Sequence, residues 1–296
     1  MASRPASSTV QTVAGPRVLL GVAATCLLAI GCGQDPELVR LSNEGVRALQ
    51  ENDYTFAKTA FEKARAINPA DADVNFYLGS LALRDEEFQT AVAFLRTSVQ
   101  VDPARPDAHL SLARALIGAG EPKAASDALK SLFRLDPGHP NGHLLAARIA
   151  LDSADRITGE RELRSAIEGD PGFAPAYVRL AQLYRDVEAY EAARDVLVEG
   201  LQFAPTSVEL QESLGLAWVD LGRPDRAKVV LAKATQHPKA RHHLFLNYAA
   251  ALLQLGEKEP AIEALRTFIV QAHGRGPDPA VEVAVNMLAR LRKTPR

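Results

Sequence analysis

Cysteine is almost missing. Of 296 residues only Cys26 and Cys32 carry a thiol, and both sit near the N-terminus. A disulfide framework is therefore excluded. Charge of one sign is also missing: 34 lysines and arginines face 36 aspartates and glutamates, for a net charge of −2. No basic excess suits nucleic acid, and no acidic block reads as a solvating tail. No apolar run reaches the ~20 residues that a spanning helix needs. Glycine (19) and proline (18) are too few for a low-complexity chain. The 47% hydrophobic and 24% charged residues describe a chain that packs a core and say nothing of what it binds.

Catalytic motifs are missing as well. There is no phosphate loop of the GxxxxGK[ST] kind, no GxSxG elbow and no HExxH pair. His139 and His143 have ligand spacing, but Pro140 and Gly142 intervene, so the segment reads as a turn. His242 and His243 are neighbours on a helix, where side chains diverge by ~100°, so no chelate is expected. Paired carboxylates such as Glu86 and Glu87 fall in a polar turn. These absences lead us to expect a protein that is not an enzyme, with no cofactor, no metal and no small-molecule substrate.

The N-terminus differs from the rest. Residues 1–17 carry Arg4 and Arg17 and no acid, and residues 18–30 form a short apolar run. That is the layout of an export signal. It ends Leu28-Ala29-Ile30-Gly31-Cys32. The ending resembles a bacterial lipobox, which implies cleavage of residues 1–31 and acylation of Cys32. An ordinary signal peptide or an uncleaved anchor is the alternative. Acylation would cap the one thiol left after cleavage, and several acyl chains at ~0.8 kcal/mol per buried CH₂ hold a protein firmly to a membrane. Gly33 follows where inner-membrane lipoproteins of enteric type carry Asp, so the outer membrane, facing the periplasm, is favoured. Residues 32–37 would be a short linker.

Beyond residue 37 the chain repeats itself. Pro69, Pro103, Pro137, Pro171 and Pro205 are spaced by 34 residues, and Pro238 follows after 33. Seven rows result: 38–71, 72–105, 106–139, 140–173, 174–207, 208–241 and 242–275. Column eight reads Gly45, Gly79, Ala113, Ala147, Ala181, Gly215 and Ala249. Column twenty reads Ala57, Ala91, Ala125, Gly159, Ala193, Ala227 and Ala261. Column twenty-four is large: Phe61, Leu95, Leu129, Leu163, Leu197, Leu231 and Leu265. Each row reads as two helices, A and B, on the 3.6-residue period. The two small columns would let A and B approach within a row, and column twenty-four would fill the space between rows. One hairpin cannot bury both faces, so the rows must stack. In row four, residues 151–158 are poor in apolar side chains, which predicts a late start for helix B. Residues 278–293 read as a closing helix with Val281, Val285, Leu288 and Leu291 on one side.

The small pair Gly79 and Ala91, with Leu95 and Pro103 in row two and Trp218 in row six, resembles the tetratricopeptide repeat (TPR) family. The resemblance implies an all-α solenoid of about seven hairpins plus a C-terminal capping helix, with helix A lining a concave groove through columns two, five, nine, twelve and thirteen. Column five then offers Phe76, Leu110, Leu144 and Val178, and column nine offers Arg114, Arg148 and Gln182. Asp152, Asp186 and Asp220 occupy column thirteen of rows four to six. Apolar pockets flanked by guanidinium donors suit a peptide; inner-layer packing, with the arginines paired to nearby acids, is the alternative. Family members that clamp a chaperone's terminal carboxylate carry Lys and Asn where this chain has Ser42 and Val46. The likeness in kind is to TPR lipoproteins that help assemble type IV pilus secretins. The expected partners are envelope proteins or peptides and the membrane itself through the lipid, and not nucleic acid. A regulator of a cell-wall or polysaccharide-export enzyme is the second reading.

Overall fold

A computed structural model describes residues 35–238, 240–273 and 278–293. Residues 1–31, Cys32 and the first part of the linker lie outside the described residues. Among those described, the regular structure is all helix, with no strand.

Fourteen helices form seven successive hairpins. They are α1 (Pro36–Gln50) with α2 (Tyr54–Ile67), α3 (Ala72–Arg84) with α4 (Phe88–Val101), and α5 (Pro106–Gly118) with α6 (Pro122–Leu135). There follow α7 (Pro140–Asp152) with α8 (Arg156–Gly169), α9 (Ala174–Arg185) with α10 (Tyr190–Phe203), α11 (Val208–Asp220) with α12 (Pro224–Thr235), and α13 (His242–Gln254) with α14 (Lys258–Ala272). A single helix, α15 (Pro279–Lys293), packs on α14. From α3 onward the A helices touch one another from row to row, α3 with α5 and so on to α11 with α13. The B helices pack chiefly on the A helices either side of them. The A helices are thus the inner layer of an α-solenoid.

Local chemistry sets the helix ends. Asp53, Asp71, Asp155 and Ser207 accept a backbone N–H three residues on, as N-caps do. Proline opens α5, α6, α7 and α12, where its missing N–H is no loss. Every turn from A to B has one geometry. Column fifteen takes a positive φ in all seven rows, at Asn52, Glu86, Gly120, Ala154, Glu188, Gly222 and Gly256. The next N–H bonds back to the carbonyl five residues earlier, as Glu87 N to Ala82 O (2.8 Å) and Arg223 N to Trp218 O (2.8 Å). This is the Schellman closure of a helix C-terminus.

The turn from B to the next A is latched from column four. Asn75 Nδ2 donates to Pro69 O (2.9 Å), and Gln211 Nε2 donates to Pro205 O (2.9 Å). His109 Nε2 and His143 Nε2 face Pro103 O (2.9 Å) and Pro137 O (2.8 Å) in the same way, and a carbonyl only accepts, so the rings donate. In row five the position is Tyr177, whose buried hydroxyl has no partner among the described residues. Its ring fits because the facing residue in α10 is Gly200, where a Cβ would lie 2.8 Å from the ring.

Column twenty-four is fully buried, at 2% exposure or less in every row. It lies in core clusters that run across neighbouring rows, and its contacts add a second role to the sequence reading. The knob fills its own hairpin against column eight: a Cβ on Gly45, Gly79 or Gly215 would come within 2.6, 2.5 and 2.4 Å of Phe61, Leu95 and Leu231. In row four, where column twenty is Gly159, the residue it faces is Leu151 of α7, not column eight. Helix α8 does not start late. It begins at Arg156, in register with its counterparts, because Asp155 caps it by accepting from Thr158 N (3.0 Å). In α15 the buried face carries Ala284 and Leu288, with Val281 and Leu291 packed beside them. Val285 is exposed, because Ala284 occupies the inward position one residue earlier.

Candidate functional site

The inner layer exposes one edge of each A helix. Phe76, Leu110, Leu144 and Val178 stand at equivalent positions of α3, α5, α7 and α9, one per row. All four are half-buried: one flank packs on the core and the other meets solvent. They are therefore packing residues and surface residues at once. Glu212 ends the stripe in α11. Its carboxyl is pushed above the usual range by burial, an effect that the hydrogen bond from Asn247 Nδ2 (2.8 Å) partly offsets. The stripe thus closes on a polar pair at one end, while Arg105 lies over the Phe76 ring (5.1 Å) at the other.

One turn further along, Arg114, Arg148 and Gln182 are exposed. Arg114 has no hydrogen-bond or ion-pair partner among the described residues. Arg148 makes a loose contact with Asp152 (3.6 Å) on its own helix and stays 60% exposed. Exposed pairs of this kind contribute little, ~0–1 kcal/mol. Gln182 bridges Asp186 (2.6 Å) and Arg185 (3.2 Å). Arg185 also reaches across a row to Asp220, in a pair with both side chains largely covered. The column-thirteen acids are thus engaged by neighbours. An open depression of about 410 Å³ lies elsewhere, over α8, lined by Ile157, Glu160, Arg161, Arg164, Ser165 and Glu168. Beside it Arg164 donates to Tyr184 Oη (2.6 Å) and Glu160 (3.0 Å), and Tyr184 donates to Glu160 (2.6 Å).

The histidines divide into two kinds. His139 caps α7 by accepting from Gly142 N (3.2 Å), and His143 sits between Glu162 (2.9 Å) and Pro137 O, so these two are held apart by separate duties. His242 and His243 do not diverge. Their ring centroids are 4.1 Å apart, and both face Asp278. Sequence periodicity could not reveal this, because Asp278 lies outside the repeats.

Family models described as tetratricopeptide repeat match residues 43–109, 82–149 and 146–284. No curated protein sequence matches the chain. Among solved structures, a tetratricopeptide repeat protein from Parabacteroides merdae is 15% identical, with a TM-score of 0.63 over 88% of this chain and all of that one. The pilF protein of Pseudomonas aeruginosa is 23% identical, with a TM-score of 0.55 over 65% of this chain and 86% of that one. Human IFIT1, solved as a dimer with m7Gppp-AAAA, is 15% identical, with a TM-score of 0.59 over 86% of this chain and 63% of that one. At these identities the likeness is one of fold.

Proposed function

From a chain built of tetratricopeptide repeats through residues 43–284, we infer a non-enzymatic scaffold that binds a partner polypeptide along its A-helix face. One observation carries the reading: four half-buried apolar side chains in successive rows, Phe76, Leu110, Leu144 and Val178, stand beside the exposed guanidinium groups of Arg114 and Arg148. The stripe offers apolar pockets at one-row intervals. Arg114, with no partner of its own, is ready to bind a carbonyl or carboxylate of a bound segment. The lipobox-like ending at Cys32 supports a second element of the proposal, a scaffold tethered to a bacterial envelope membrane, outer membrane favoured. The sequence's likeness in kind to TPR lipoproteins points to assembly of an envelope complex of the pilus-secretin type. Interaction with a cell-wall or polysaccharide-export enzyme is the competing outcome.

A photo-crosslinking amino acid placed at Leu110 or Leu144, with Ile157 on the outer layer as control, tests the groove in cells. Adducts from the first two positions and none from Ile157 are expected. Adducts identified as subunits of a multimeric channel favour the secretin reading, and those from a cell-wall enzyme the other. Arg114→Glu with Arg148→Glu should cut adduct yield at least tenfold while moving Tm by no more than ~2 °C, since neither side chain is buried. Equal labelling from Ile157, or unfolding of the double variant, would overturn the assignment.

A further inference from the structure

His242 and His243 open α13, and Asp278 stands just ahead of α15. Both imidazole Nε2 atoms lie 3.6 Å from the same atom, Asp278 Oδ2. The donor atoms of all three residues fall within 4.8 Å of one another. That convergence holds two rings together at the first turn of one helix and brings in a carboxylate from beyond the last repeat. Phe268 of α14 packs near both rings, with centroids 5.7 Å from each, and gives the cluster an apolar floor. Asp278 is oriented by its second oxygen: Oδ1 accepts from Ala280 N (2.9 Å) as the cap of α15. The side chains of His242 and Asp278 are 16% and 22% exposed, and that of His243 is 51% exposed.

We propose that His242, His243 and Asp278 form a divalent-metal site of the zinc class, with water as the fourth ligand. Two imidazoles and one carboxylate are a borderline donor set that favours Zn²⁺ over the oxygen-seeking Mg²⁺ and Ca²⁺. Distance argues the same way. At 3.6 Å a nitrogen–oxygen pair is too far apart for a hydrogen bond. Ligands bound at about 2.0–2.1 Å in a tetrahedron stand roughly 3.3–3.4 Å from each other. Each nitrogen–oxygen separation is therefore within a few tenths of an ångström of that spacing, and the donor set as a whole, spread over no more than 4.8 Å, closes on one ion by side-chain rotation. The Asp278–Ala280 bond serves as the outer-shell contact that fixes a ligating carboxylate. Bound metal would tie α13 directly to α15 and fasten the capping helix to the seventh hairpin.

The test uses the full-length chain in detergent, purified on a tag without histidine and stripped with a chelator. Zinc chloride is titrated against a chromophoric chelator, and thermal unfolding is followed with and without the metal. One Zn²⁺ per chain and a higher Tm with zinc are expected, with excess magnesium failing to compete. His243→Ala removes a half-exposed ligand, and Asp278→Asn preserves the helix cap, because asparagine caps equally well. Each should weaken zinc binding at least tenfold while leaving the metal-free Tm nearly unchanged. Absence of zinc binding by the wild-type chain, or equal binding by both variants, would overturn the site.

Discussion

A glycine inside a helix ordinarily gives up ~1 kcal/mol relative to alanine. In an isolated helix, Gly79 of α3 would therefore be improved by a methyl group. Here the added Cβ would stand 2.5 Å from Cγ of Leu95, a side chain with no exposure at all. Overpacking of a closed core costs about 1–3 kcal/mol and outweighs the gain in propensity. Gly79→Ala should therefore destabilise by about 1 kcal/mol or more in urea unfolding, and Gly79→Ala with Leu95→Val should recover most of the loss. An unchanged or raised stability in the single variant would show that the hairpin can open to admit a methyl group. This part of the fold was legible in the sequence, because side-chain size is written in the letter: small at column eight, large at column twenty-four. Which columns meet was not legible, since that depends on the angle at which the two helices cross.

At the scale of the element, the seven A-to-B turns share one backbone and do not share one residue. Gly120, Gly222 and Gly256 adopt the left-handed conformation freely, whereas Glu86, Ala154 and Glu188 hold it with φ near 60°. For a side chain with a Cβ that region costs roughly 1–2 kcal/mol, and part of any relief by glycine is returned through the looser unfolded chain. Each of Glu86→Gly, Ala154→Gly and Glu188→Gly should thus stabilise by about 0.5–1 kcal/mol. The three sit in different rows and should add, for a combined rise in Tm of several degrees at ~2–4 °C per kcal/mol. Calorimetry checks this, and a triple variant no more stable than the parent would place the turns under no strain. The composition of column fifteen hid much of its geometry: asparagine and glycine favour a positive φ, but glutamate and alanine give no sign of it. The column-four latch was hidden for the opposite reason: asparagine, histidine and glutamine look unrelated and yet reach the same proline carbonyl.

For the whole molecule, the proposed attachment rests on one residue outside the described fold. Cys32→Ala should leave the helical content unchanged and shift the protein from the membrane to the soluble fraction, with loss of the acyl mass at the new N-terminus. Retention on membranes would point to an uncleaved apolar segment instead. The stripe of half-buried side chains on the A helices, which the proposal takes as a groove, was legible as a pattern of residue types. The state of its charges was not, because pairs such as Arg185 with Asp220 join neighbouring rows and appear only when the rows are stacked. The convergence on Asp278 was invisible for a related reason, since it depends on where the last helix returns. The locality of the stacking has a further consequence. Every substantial contact joins helices one or two apart along the chain. A polypeptide of such low contact order closes few long loops and folds quickly. Emerging N-terminus first, from a ribosome or a translocation pore, it can settle each finished hairpin onto the one before without waiting for its tail.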